Sequence, residues 1–439
     1  MNVDQIIEAR WIIPVVPSGT ILEHHALVLN DGRIVDLLPQ VEAQRKYVAA
    51  ATVQLENHAL IPGLINLHTH AAMSLMRGIA DDLSLMRWLN EHIWPAEAAH
   101  VSDAFVGDGT LLACAEMLRG GITCFSDMYF FPAAAAAAAE KAGMRAMLGL
   151  VVLDFPTAYA TDADDYLNKG FAVRDELRDS GHGLINTCLA PHAPYTISDR
   201  SFAKILTFAE QLDLNIHTHL HETIDEIAKS EAEFGLRPIQ RLANLGLVGP
   251  SLVAAHGVHL TSNEIELLAE RGCHIAHCPT SNLKLGSGIA PVKALLAQGV
   301  NVGLGTDGAA SNNSSDIFAE MRLTALLAKG ASGDAEALPA SQALEMATIN
   351  AAKALGLEND IGSIEIGKRA DLTAIDLATV ETTPCYDPLS HLIYAAGREQ
   401  VSHVWVDGAL LLEERMLTQI DINEIKEKAK LWQNKLQAR

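Results

Sequence analysis

At 439 residues, 49% of them hydrophobic and 20% charged, the chain can build a large core. Its length fits two or three domains, or one barrel with a smaller attachment. A formal net charge of -22 argues against a nucleic-acid backbone or an anionic membrane as partner, and leaves a neutral or zwitterionic small molecule open. The six cysteines form no CxxC pair, the start MNVDQIIEAR has no basic-then-apolar leader pattern, and no apolar run reaches membrane-spanning length, so a reduced, cytoplasmic protein is expected.

Residues 1–60 predict short strands, ARWIIPVV and then HHALVLNDGRIVDLLP, with a hairpin turn at Asn30-Asp31-Gly32. The middle of the chain alternates strand and helix. Strands are expected near 62–68, 122–127, 145–151, 184–190, 213–219, 252–256, 273–277 and 302–307. Helices are expected over 103–119, 199–211, 262–270 and 290–298. The seven-alanine run at 133–139 lies between Pro132 and Glu140-Lys141 and predicts a small-residue helix. Late in the chain IEIGKRADLTAIDL and VSHVWVDGALLLE return to the style of the first sixty residues, with a second turn at Asp407-Gly408. DINEIKEKAKLWQNKL then predicts a terminal surface helix.

Eight alternations are what a (β/α)8 TIM-type barrel needs. A doubly wound sheet is the weaker alternative, because no GxGxxG follows the first strand. The expected fold is therefore α/β: a metal-dependent barrel over 61–364 with a small composite β-sandwich domain built from both ends, 1–60 and 365–420. A terminal helix at 421–439 completes the chain.

Four metal-ligand side chains sit at the ends of separate predicted strands: His68 and His70 in PGLINLHTH, His219 in LNIHTHLHE and Asp307 in VNVGLGTDG. Chance alone gives roughly one HxH in a chain with this histidine content, so context must supply the specificity. Residues i and i+2 of a strand share a face, which points His68 and His70 the same way. A closed barrel gathers all its strand ends at one mouth and so joins ligands that are far apart in sequence. Three imidazoles and a carboxylate with one position open for water suit zinc, while Fe2+ and Mn2+ remain open by ligand type. Bound water would ionise near neutral pH, giving a metal hydroxide as nucleophile.

Among His217, His219 and His221, the strand end favours His219. His217 then lies a layer deeper as a hydrogen-bonded core residue, and His221 in a loop near the mouth. Glu222 is placed as a proton shuttle beside the nucleophile, and His256, ending SLVAAH, is either a fifth ligand or, in preference, a group that orients the nucleophile. His259, His274 and His277 read as structural. The chain has no HExxH, and no HxE with PCxxC. The fourth strand, GLINTCLAPHAPY, has no lysine to bridge two metals, so one divalent metal per subunit is expected.

The motifs PGLINLHTH, PHAPYT, HTHLHET, VAAHGVHL, SNLKLGSGIAPV, LGTDGAASNN and IEIGKRADLTAIDL run through most of the chain. On them the chain resembles the amidohydrolase superfamily, and within it the 5-methylthioadenosine/S-adenosylhomocysteine deaminase branch. The resemblance implies His68, His70, His219 and Asp307 as metal ligands, Glu222 as the acid that protonates the purine ring nitrogen, and His256 as the group that polarises the attacking hydroxide. It also implies that Asp307 takes the water's proton and passes it toward leaving ammonia. Glu97 in WPAEAAH would hold the ribose hydroxyls and His192 would contact substrate, with Trp88 and Ser311 lining the purine pocket.

The implied reaction is hydrolytic deamination of the 6-amino group of an adenine nucleoside: 5′-methylthioadenosine, adenosine or S-adenosylhomocysteine. Between Arg145 and Arg174 there is no arginine to meet a homocysteine carboxylate, which favours the first two. Free-base deaminases of guanine or cytosine and triazine chlorohydrolases of the same superfamily are the rivals, and Glu97 argues against a substrate without ribose. A noncatalytic scaffold would have lost metal ligands, and all four are present. Residues 73–96, rich in Met, Leu and Trp, are a candidate lid, and a homo-oligomer (dimer or tetramer) is expected.

Overall fold

The structure, a computed structural model, describes residues 1–180 and 183–437. The chain forms two compact units. One comprises Met1–Asn66, Ala115–Cys124 and Asp316–Ile420, the other Leu67–Cys114, Phe125–Ser315 and Asp421–Arg439.

In the first unit, strands from both chain ends form one continuous eight-stranded sheet, the composite β domain expected from the two termini. The physical reason is the 15-residue strand Val48–Pro62. Most of its length pairs in parallel with Asn2–Ile12, and its last residues pair antiparallel with Leu372–Asp376, bridging the two ends of the chain. Ile7, Leu27, Leu55, Leu60, Leu372 and Trp405, drawn from both ends, share one buried cluster. The predicted hairpins are present. Asp31 and Gly32 (φ 50° and 70°) and Asp407 and Gly408 (51° and 80°) are all left-handed, which matches the right-handed twist of the flanking strands. A Cβ on Gly32 would lie 2.5 Å from the Asp407 carbonyl oxygen, so the two turns touch where only glycine fits.

The second sheet is a nearly closed parallel barrel whose eight strands neighbour one another in chain order. They are Leu64–Thr69, Ile122–Asp127, Arg145–Val152, Ile185–Pro191, Ile216–Leu220, Leu252–His256, His274–His277 and Asn301–Leu304. Two bounds lie three residues from expectation, and the rest within two. Asp213 is left-handed (φ 52°) and caps helix Asp199–Leu212, so the fifth strand starts only at Ile216. The eighth ends at Leu304, because Asp307 is itself left-handed. The Asp307 backbone N–H still donates to the His68 carbonyl at 2.9 Å and draws the last strand against the first. Close approach is possible because residue 305 is glycine, where a Cβ would lie 2.8 Å from the His68 nitrogen.

The alanine run forms helix Pro132–Ala142, burying Ala135, Ala136, Ala138 and Ala139 on one face and stopping at left-handed Gly143. The terminal helix Ile422–Gln437 is docked within the second unit. Its Trp432 indole donates to Asp108 at 3.0 Å and packs edge-on against Phe105. Five of the six free cysteines are buried as expected, and Cys385 is only partly so. Among the described residues no helix is long and apolar enough to cross a membrane.

Candidate active site

The strand ends bring five donor groups to one point of the second unit. One ligand atom each from His68, His219, His256 and Asp307 lies within 4.8 Å of the others. The His70 Nε2 borders the same space, 3.1 Å from Asp307 Oδ1 and 3.3 Å from His219 Nε2. His256 thus enters the cluster alongside the four side chains that the sequence pointed to.

Partners on the far side of each ring fix which nitrogen faces inward. His70 Nδ1 meets the Met128 carbonyl at 2.6 Å, and His219 Nδ1 meets the His192 carbonyl at 2.6 Å. A carbonyl only accepts, so both Nδ1 atoms carry hydrogen and both Nε2 atoms are free to ligate. His68 Nδ1 rests on His217 Nε2 at 3.0 Å, and His217 Nδ1 is 3.3 Å from Ser126 Oγ, so His217 is the deeper hydrogen-bonded residue that was expected. His68 Nε2 is buried without a hydrogen-bond partner. Two inward nitrogens facing each other at 3.3 Å, beside a third that lacks a partner and a carboxylate, make a donor set that a divalent cation satisfies.

Electrostatics agree. Burial alone would lower His70, but hydrogen bonding and charge from Asp307 raise it to about 9, placing a positive charge where a cation would sit. Asp307 is buried, which would raise it, yet the His68 and His70 imidazoles facing it hold it well below the usual carboxylate range. Its Oδ2 accepts the Ser281 and Ser311 hydroxyls, each at 2.6 Å. Ser311 therefore supports Asp307 and is absent from the cavity lining.

Against this cluster lies a cavity of about 480 Å³, lined by Glu222, His256 and His192 and also by Glu97, Trp88, Trp94 and Phe155. Glu222 Oε2 is 3.8 Å from His256 Nε2, and burial raises the Glu222 pKa against the opposing pull of His256. His256 Nδ1 meets Asn282 Oδ1 at 2.9 Å, leaving Nε2 toward the cavity. Glu226 clamps the loop that carries Glu222, accepting the backbone N–H groups of His221 and Glu222 at 3.1 and 2.8 Å. His221 lies in the loop after the fifth strand, as expected, but it is fully buried with both ring nitrogens engaged, by Ile239 N–H and the His259 carbonyl. His221, His256 and Asp307 have φ of 55°, 76° and 61°. Side chains other than glycine take this backbone form at a cost of about 1–3 kcal/mol each, a pattern typical of functional sites.

The segment 73–96 forms much of the cavity wall. Met73, Leu85, Trp88, Leu89, Ile93 and Trp94 line it, and Leu89–Ile93 makes a π-helical turn ahead of helix Trp94–His100, which carries Glu97. Three polar groups went unnoticed in the sequence. Asp127 accepts the Ala71 N–H at 2.7 Å, Tyr129 donates to Glu97 Oε1 at 2.7 Å, and Asn282 supports His256. Asp127 ends an apolar strand in SDMYF, the same signal that marked His219.

Burial raises Glu97 from its ordinary 4.5 to about 7, against the bond from Tyr129. A carboxyl raised in the folded state holds its proton longer than in the unfolded chain, so it favours folding at low pH and loses that contribution between 4.5 and about 7. Replacing Glu97 by Gln removes this titration. The melting temperature of Glu97→Gln relative to the parent is therefore expected to climb as pH rises through that window and to level off above it. A difference that stays constant from pH 4.5 to 8 would contradict the assignment.

A parallel barrel with imidazoles and a carboxylate converging at its strand ends is the architecture of metal-dependent hydrolases. The amidohydrolase family model matches residues 59–411, and the chain belongs to that family. It is 50% identical over 435 residues to a 5-methylthioadenosine/S-adenosylhomocysteine deaminase of Saccharophagus degradans, covering 99% of this chain and 97% of the relative. A 5′-deoxyadenosine deaminase of Methanosarcina mazei is 40% identical over 436 residues, 99% of each chain. The crystal structure of an adenosine deaminase from Xanthomonas campestris with bound zinc superimposes with a TM-score of 0.98 at 47% identity, covering 100% of this chain and 99% of that one.

Proposed function

We propose that the protein hydrolyses the 6-amino group of adenine nucleosides, giving the inosine analogue and ammonia. The observation that carries this is one cavity lined by three carboxylates in different settings: Asp307 and Glu222 at the donor cluster, and Glu97 held by Tyr129. The relatives named above, which act on adenine nucleosides, support the same conclusion.

In this proposal His68, His70, His219 and Asp307 hold one divalent cation, zinc by the chemistry of the set. When bound, it acts as a Lewis acid that makes the attacking water more acidic. His256 Nε2 orients that water, and Asp307 accepts its proton. Glu222, whose burial favours its protonated form, gives its proton to the ring nitrogen as the C6–O bond forms. The proton taken by Asp307 then goes to the amino group, the C6–N bond breaks and ammonia leaves, and the C6 hydroxyl returns its proton to Glu222 as the C6=O bond forms. Preorganised charge in a cavity shielded from water makes these groups more effective than they would be in solution.

Glu97 is the ribose contact, and the cavity wall, with Trp88, Trp94, Leu89 and Phe155, contributes no lysine or arginine to the lining. A neutral 5′ group suits that wall better than the charged tail of S-adenosylhomocysteine, since burying an unpaired carboxylate is costly.

Ammonia release should be measured, with zinc supplied, from adenosine, 5′-methylthioadenosine, S-adenosylhomocysteine, adenine, guanine, cytosine and a chlorotriazine. Turnover of the nucleosides alone is expected, and turnover of a free base or the triazine alone would overturn the substrate assignment. Glu97→Ala should cut kcat/KM on adenosine about 10- to 100-fold, the worth of charge-assisted hydrogen bonds of about 1.5–3 kcal/mol. An unchanged value would remove Glu97 from the ribose site.

A further inference from the structure

We infer that Tyr129 is a positioning residue that sets the orientation of the Glu97 carboxylate toward the ribose diol; this rests on the ribose role proposed for Glu97. The Tyr129 hydroxyl donates to Glu97 Oε1 at 2.7 Å, and Oε2 has no hydrogen bond among the described residues. Both residues line the cavity. With one oxygen taken, the carboxylate plane is fixed and Oε2 keeps both of its acceptor positions for two neighbouring hydroxyl donors.

Tyr129 is well anchored for this task. It follows directly on the pair that orients His70: the Met128 carbonyl takes the His70 Nδ1 hydrogen, Met128 N–H reaches the Thr69 carbonyl at 2.9 Å, and Asp127 holds Ala71. Its ring is buried and lies between His70 and Phe130, at centroid distances of 6.3 and 5.3 Å. Three successive residues thus tie the metal end of the cavity to its ribose end. Without the hydroxyl, Glu97 keeps its flexible side chain and has no other partner to choose its rotamer.

The test compares adenosine with 2′,3′-dideoxyadenosine on the zinc-loaded protein. Tyr129→Phe should raise KM for adenosine about 10-fold while changing KM for the dideoxy substrate less than about 2-fold. A second measurement guards against a purely structural effect. In Glu97→Gln the tyrosine holds the amide oxygen and turns the NH2 group toward the ribose. Adding Tyr129→Phe frees the amide to rotate, so the double variant should bind adenosine more tightly than Glu97→Gln alone. The same substitution is then harmful in one background and helpful in the other, which loss of packing cannot produce. Equal KM values for the two nucleosides in the parent protein would sink the ribose assignment and the positioning role together. A diol preference that Tyr129→Phe leaves intact, or a double variant that binds no better than Glu97→Gln, would overturn the role of Tyr129 alone.

Discussion

Glu222→Gln is expected to lower kcat about 100- to 10,000-fold, the usual range for a lost general acid, with metal content unchanged. Glutamine matches the shape of the side chain, and the clamp from Glu226 acts on the backbone N–H of residue 222, which the substitution leaves in place. What disappears is a transferable proton. The buried carboxyl is pushed toward its protonated form, and an amide cannot give a proton up to a ring nitrogen. Steady-state kinetics together with metal analysis of the same sample would test this. Turnover within a few-fold of the parent would reject Glu222 as the proton carrier, and loss of metal would show that the residue matters for assembly of the site.

Asp307→Asn is expected to be at least as damaging, and for two reasons at once. Every acceptor edge of this carboxylate is used: Oδ1 faces His68 and His70 at 3.4 and 3.1 Å, while Oδ2 takes two serine hydroxyls. Asparagine can keep one of these edges only by turning its NH2 group against the other. The negative charge that raises His70 also disappears. Metal affinity, read by competition with a chelator, should fall well beyond the roughly 10- to 100-fold typical of outer partners of a ligand. Ser281→Ala should stay within that smaller range. Added zinc should not restore Asp307→Asn, because the acceptor of the water's proton is missing as well. Full recovery in excess zinc would confine Asp307 to metal binding.

The barrel was legible because its strands are buried on both faces and so appear as apolar runs, each ending in a polar residue. The first strand, Leu64–Thr69, is buried throughout and ends between His68 and His70. Turn chemistry was equally plain at Asp31-Gly32 and Asp407-Gly408. What could not be read was the pairing of elements far apart in sequence. The strands of the two chain ends are joined by where Val48–Pro62 finds its partners, and apolar alternation carries no information about that. Asn282, Ser281 and Tyr129 each act through one hydrogen bond to another functional group, and Glu226 through two to the backbone that carries Glu222. A single polar residue after a strand or at a helix start looks the same whether or not such a partner exists. Ser311, expected to line the purine pocket, donates its hydroxyl to Asp307.

The left-handed backbone at His221, His256 and Asp307 bears on how this protein tolerates change. Glycine would adopt all three conformations without penalty, yet glycine carries no imidazole and no carboxylate. Folding and chemistry therefore ask for different residues at the same three addresses. Any selection that scores only abundance or heat resistance will pull these positions toward glycine and return well-folded protein with no reaction to perform.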